Sequence, residues 1–200
     1  TVHQSKEFGK YINVDDFGAD PTGKKDSLAA IKAALNAAHK EKAMLFMDGT
    51  YYISDQIVIN GNNSGVKGIF GRAFAGILVD GQNHKTIANL SVKYTNSDFY
   101  RKGLSYFGKV SGILVNDADH TLISKVEVSG ANRAGVMFTS TDALVREAGK
   151  SQTYKARVQS GEINEQYDHL PLGENNRIVD SYLHHNRVAG AMVGYQKNFV

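Results

Sequence analysis

Hydrophobic positions along this 200-residue chain follow a helical period once and a strand pattern elsewhere. Leu28, Ile31, Ala34, Leu35 and Ala38 recur at helical spacing, which predicts one amphipathic helix. Asp26 or Ser27 is placed to cap it, since either side chain can accept from the free N–H groups of the first turn. Asp20-Pro21-Thr22-Gly23 ahead of the helix is a turn, because proline presets φ and glycine accepts a positive one. Behind it, Met44-Leu45-Phe46-Met47 and Tyr51-Tyr52-Ile53 read as short strands separated by Asp48-Gly49. From Ile69 onward, short β-rich runs alternate with Gly/Asn turns and no second helix is predicted.

An internal repeat runs through this second part. Gly112-Ile113-Leu114-Val115 returns 23 residues later as Gly135-Val136-Met137-Phe138, and 55 residues after that as Gly190-Ala191-Met192-Val193. A second strand keeps the longer offset: Ile123 maps to Ile178 and Val128 to Leu183, with an earlier copy at Ile87 to Val92. A repeat of about 23 residues is one supersecondary unit that buries its apolar face only by stacking on neighbours. The 55-residue step then holds an excess of 32 residues, so residues 139–173 are predicted to form a loop extruded from the stack. Such loops are usually functional or disordered. Two tyrosines and Leu170-Pro171-Leu172 favour a loop that packs and grips substrate.

Composition narrows the class. The net charge is +3, with Lys and Arg spread among Asp and Glu, and no basic stripe is interleaved with stacking aromatics. This is no nucleic-acid signature, although it suits a polyanionic glycan. No apolar run approaches the roughly 18 residues needed to span a membrane, so no membrane insertion is expected. The chain has no cysteine, which removes disulfide and thiolate chemistry and fits a bacterial protein that folds after export. Residue 1 is Thr, consistent with a processed or trimmed start.

The run from Tyr11 to Asn60, with Val14-Asp15-Asp16-Phe17-Gly18-Ala19-Asp20-Pro21-Thr22-Gly23, the helix and two short strands, resembles the N-terminal segment of pectate-lyase-like proteins. That superfamily includes polysaccharide lyases, glycosidases, alginate C5-epimerases and phage tailspikes. The resemblance implies an all-β fold, a right-handed parallel β-helix whose open end is capped by the helix of segment 11–60, with coils over 61–200. A stack ending at Val200 would leave a sheet edge uncapped, so the expectation is an N-terminal portion of a longer β-helix. The implied activity is that of a secreted, extracellular bacterial polysaccharide lyase acting on an acidic exopolysaccharide of biofilm or capsule type. Hydrolysis, C5-epimerisation, or glycan binding by a tailspike or adhesin are the alternatives. A monomer is expected for the enzyme and a trimer for a tailspike.

Stacking turns sequence offsets into columns, since equivalent residues on neighbouring strands lie about 4.8 Å apart. Lys109, Asn132 and Arg187 share one column; Val110, Arg133 and Val188 share the next. Beyond the strand, Asn116 aligns with Thr139, and Asp117 with Ser140 and Tyr195; Ser129 and Gly130 align with His184 and His185. Gly108-Lys109-Val110-Ser111-Gly112 resembles the first catalytic-coil region of mannuronan C5-epimerases, which implies that Lys109 lines an active site. Those enzymes next cluster Tyr, Asp and His, where this chain has Ala134 to Phe138; Tyr167-Asp168-His169 in the predicted loop supplies the same residue types.

β-Elimination from a uronate requires neutralising its carboxylate, removing the C5 proton and protonating the departing O4. Lys109 or Arg187 can supply the cation, Arg with bidentate geometry. His169 or His184 can serve as base, and Tyr167 or Tyr195 can return a proton. Asn116, Asp117, Asn132, Arg133, Lys155, Arg157 and Tyr195 are the candidate substrate contacts. Hydrolysis would instead need two carboxylates about 5 to 9.5 Å apart; no adjacent-coil Asp pair with outward placement is visible in the sequence, and Glu165 and Glu174 are the carboxylates that the loop could supply. No cofactor is required; clustered carboxylates hold Ca2+ in some proteins of this fold, and Asp15/Asp16 and Asp117/Asp119 allow it. Zinc-type spacings are absent.

Overall fold

A computed structural model describes residues 1–7, 9–59, 75–95, 111–140, 159–161 and 172–200. Contacts between Cα atoms divide the chain into two units, Thr1–Asn60 and Gly61–Val200.

The first unit runs β1 (His3–Ser5), β2 (Gly9–Asn13), a 3-10 turn (Val14–Phe17), β3 (Thr22–Asp26), α1 (Leu28–Glu41), β4 (Met44–Phe46), β5 (Thr50–Tyr52) and β6 (Ile57–Ile59). β2 pairs antiparallel with β1 and parallel with β4, and β3 pairs parallel with β5. The apolar stripe of α1 buries Leu28, Ile31, Ala34 and Ala38 against the 3-10 turn, β2, β4 and β6. Of the two candidate capping side chains, Asp26 is the one that caps the helix. Asp26 Oδ1 accepts from Leu28 N–H at 3.0 Å, while Ser27 Oγ turns away to accept from Asp20 N–H at 2.8 Å. Asp20 organises the turn before the helix. Its carboxylate takes Thr22 Oγ1–H at 2.6 Å and the N–H groups of Thr22, Lys24 and Lys25.

The second unit contains β7 (Ala75–Asp80), β8 (Thr86–Lys93), β9 (Ser111–Asn116), β10 (Leu122–Ser129), β11 (Ala134–Thr139), β12 (Gly173–Glu174), β13 (Arg177–Val179), β14 (Tyr182–His184), β15 (Ala189–Val193) and β16 (Gln196–Lys197). All its pairings are parallel among the described residues. β7, β9, β11 and β15 lie side by side, aligning Ile77, Ile113, Val136 and Ala191. β8 pairs with β10, whose first half pairs with β13 and second half with β14. The repeat registers read from the sequence, Ile113 on Val136, Ile123 on Ile178 and Val128 on Leu183, are the observed ones. One further copy belongs to the set: Gly76-Ile77-Leu78-Val79 repeats Gly112-Ile113-Leu114-Val115 letter for letter, and β7 pairs with β9 in that register.

Several bends recur at equivalent positions of the stacked copies. Residues with positive φ recur as His84, His120, Asn175 and Asn198, as Asn89, Lys125 and Asp180, and as Gly130 and His185. Asn, Asp and His tolerate this region best among non-glycine residues. Stacking supplies the compensation, because the bent residues donate across the step: His84 N–H to Asp119 O, His120 N–H to Glu174 O, Gly130 N–H to His185 O. The bend at Lys125 lies between the half of β10 that pairs with β13 and the half that pairs with β14. The architecture is mostly β, with parallel sheets and β-helix-like stacking. β7, β9 and β11 are buried on both faces, whereas β10 alternates buried and open positions.

Candidate functional site at the β10–β11 corner

Lys109, Lys155, Arg157, Tyr167 and His169 lie outside the described residues. The others fall into two groups at opposite ends of the six-residue β11 and its neighbours. At roughly 3.3 Å per extended residue, those ends are about 17 Å apart.

The first group occupies the corner between β10 and β11 and its copy between β14 and β15. Arg187 is exposed, and its Nη1–H donates to Asn132 Oδ1 one step away at 3.1 Å. Asn132 and Arg133 are 0% and 1% exposed, so they are interior groups and not the open surface expected of them. The backbone of the corner explains this: Arg133 O accepts from Val188 and Ala189, which draws the corner under the next one. His184 is half-buried. Its Nε2 lies 2.7 Å from Glu127 Oε1, its Nδ1 2.7 Å from His185 Nδ1, and its ring stacks on Tyr182 at 4.0 Å and 17°. The strand register builds this cluster. Glu127 sits beside Tyr182 and Ser129 beside His184, on the open side of β10 and β14, while Val128 and Leu183 alternate to the other face.

The second group lies at the far end. Asn116 is fully buried, and its Nδ2–H donates to Asp80 Oδ1 at 2.9 Å and to Asp117 Oδ2 at 3.4 Å. One amide thus ties two carboxylates from neighbouring repeats. Burial, and then the Asp117 charge, push the Asp80 carboxyl above its ordinary range. Asp117 is exposed at a positive-φ position, and Tyr195 occupies a positive-φ position just after β15. Asp80 and Asp117 thus form a carboxylate pair on adjacent repeats, with Asp80 buried and Asp117 exposed. Its second member, Asp80, comes from the β7 copy of the repeat, which lies ahead of the copies recognised from sequence.

Glu127, His185, Tyr182 and Asp80 are the residues missing from the candidates drawn from sequence. The 55-residue offset could have found the first three, since it places Tyr182 on Glu127 two residues before the histidine pair. The carboxylates considered for Ca2+ are engaged elsewhere: Asp15 accepts from Tyr51, Asp16 contacts His3, and Asp119 accepts Glu174 N–H. Among the described residues no group of three or more His, Cys, Asp or Glu side chains converges.

The parallel, β-helix-like stacking thus presents a polar, solvent-facing corner. Residues 11–199 match the family described as Rhamnogalacturonase A/epimerase, pectate lyase-like, and the chain belongs to that pectate-lyase-like family. No curated protein matches the chain. Among solved structures, PfbA, a surface adhesin of Streptococcus pneumoniae, is similar at 14% identity and a TM-score of 0.46, over 90% of this chain. The chain spans 51% of that adhesin's length.

Proposed function

We propose that the protein is an extracellular bacterial enzyme that cleaves an acidic polysaccharide by β-elimination, on a right-handed parallel β-helix. The observation that carries this reading is the corner where Arg187 and the Glu127-oriented His184 rise from the same four-residue turn, 184–187. Elimination needs a cation for the uronate carboxylate and a base near C5. Arg187 offers the first and the histidine pair the second. Lys109, His169 and Tyr167 are the further catalytic candidates, and Asp117, Lys155, Arg157 and Tyr195 the candidate substrate contacts. A monomer working outside the cell suits a polymeric substrate. No helix among the described residues is long and apolar enough to cross a membrane.

The test is absorbance near 235 nm during digestion of polygalacturonate, rhamnogalacturonan and alginate. A rise reports a new C4–C5 double bond. Arg187→Ala should then lower kcat/KM by about 100-fold or more, the scale expected when a charge-assisted hydrogen bond to the transition state is removed. Wild-type turnover in that variant would take the residue out of the site.

Hydrolysis is the second reading, and the Asp80–Asn116–Asp117 arrangement favours it. A carboxyl of raised proton affinity beside a second carboxylate is the pairing that glycosidic acid catalysis uses. Falling viscosity without absorbance at 235 nm would select it. Binding of polymer without any chemistry would select the adhesin or tailspike alternative.

A further inference from the structure

We propose that Glu127, His184 and His185 form a proton relay that makes His185 Nε2 the proton-accepting nitrogen of the corner. What reacts there rests on the elimination reading; the relay itself does not.

The assignment follows from counting donors. An ionised carboxylate only accepts, so the 2.7 Å contact with Glu127 Oε1 requires the proton of neutral His184 to sit on Nε2. His184 Nδ1 is then a lone pair. His185 Nδ1 lies 2.7 Å from it, and two lone pairs make no hydrogen bond, so His185 carries its proton on Nδ1. That leaves His185 Nε2 as a lone pair, and it has no partner among the described residues. His185 is exposed, so this nitrogen is open to a ligand.

The fold holds both rings in place. Tyr182 covers one face of the His184 ring, and a flip of that imidazole would break two hydrogen bonds. His185 sits at the positive-φ corner, φ 51°, with its carbonyl accepting Gly130 N–H from the preceding repeat. A proton captured at Nε2 makes His185 a cation whose Nδ1–H points along the relay toward the Glu127 charge. In elimination the C5–H proton goes to His185 Nε2 and its electron pair closes the C4–C5 double bond. The C4–O4 pair leaves with O4, which takes a proton from water. His185 is the catalytic residue in this scheme, and Glu127 and His184 are positioning residues.

Long-range 1H–15N correlation spectra of the whole chain, labelled with 15N-histidine, read the tautomers at pH 8 without any substrate. The expected result is protonated Nδ1 on His185 and protonated Nε2 on His184, with Glu127→Gln releasing both rings to mixed tautomers. A His185 protonated at Nε2 would overturn the relay. The kinetic arm uses the 235 nm assay on the same three polymers. His185→Asn, a residue type that tolerates the bent backbone, should lose about 100-fold or more in kcat with KM held. Unchanged kcat in that variant overturns the role of His185 as base. Absence of 235 nm product from the wild type, with the tautomers as expected, overturns the elimination reading and leaves the relay standing.

Discussion

Two aspartates respond to their surroundings in opposite directions, and their pH signatures should be opposite too. Asp20 accepts four hydrogen bonds, from the Thr22 hydroxyl first and then backbone N–H groups, which hold its carboxyl down to about 2. A depressed folded-state pKa stabilises above the ordinary carboxyl value, and that contribution is lost as pH falls toward 2. Asp80 is raised, so its contribution is complete below the ordinary value and is lost as pH rises through its folded pKa. Asp80→Asn keeps the bond from Asn116 and removes the charge; it should raise Tm at pH 7 and leave it unchanged at pH 3. Asp20→Ala should lower Tm at pH 7, with the difference closing near pH 2. Thermal scans across that range check both, and parallel curves for either variant against wild type would contradict the assignment. Glycine is required in two ways. An added Cβ at Gly112 would lie 2.6 Å from the Gly135 carbonyl oxygen, whereas at Gly81 it would meet nothing and only the φ of 65° resists it. Gly112→Ala should therefore cost more than about 3 kcal/mol in chemical denaturation, against about 1 for Gly81→Ala.

At the level of the element, side chains continue the ladders that the backbone cannot complete at a bend. Asn176 shows the pattern. Its Oδ1 accepts Thr121 N–H at 2.9 Å, and its Nδ2 donates to Ala118 O and Gln196 Oε1, all while 1% exposed. Asn186 repeats the arrangement one corner later, accepting Ala131 N–H and donating to Val128 O. Removing such a side chain strands buried groups at about 1–3 kcal/mol each. Asn176→Ala should lose about 3 kcal/mol or more in urea titration. Asn83→Ala, which frees only the Asp119 N–H at an exposed position, should lose less than about 1.5. Equal losses would show that burial does not set the cost. The columns were legible in the sequence because β10 and its copies keep one period. The bend at Lys125 was not, since a lysine carries no local signal for positive φ; the stacked copies Asn89 and Asp180 carry it.

Across the whole molecule, stability in a stacked repeat is a sum of local terms and neighbour contacts, so it need not be uniform. β9 and β11 are buried throughout, with a pairing partner on each side. β15 is only partly buried, and Val188 and Val193 are exposed. Amide hydrogen exchange of the 200-residue chain should show its greatest protection in β9 to β11 and faster exchange in β14 and β15. Uniform protection across the repeats would contradict this gradient.

The amino-acid sequence by itself determined the helix, the repeat and its registers, because each depends on periodicity, and periodicity is a local property that neighbouring copies reinforce. It also determined the family, through the segment around Asp20-Pro21-Thr22-Gly23 and the helix. Only the tertiary structure decided which side chains meet and which are open to solvent. It buried Asn116, Asn132 and Arg133, joined Asp80 to Asp117 through one amide, and set Glu127 against the two histidines. The physical reason is that a column assigns neighbours along the stack, whereas exposure and hydrogen-bond direction depend on how each bend turns the chain and on what the next repeat places above it.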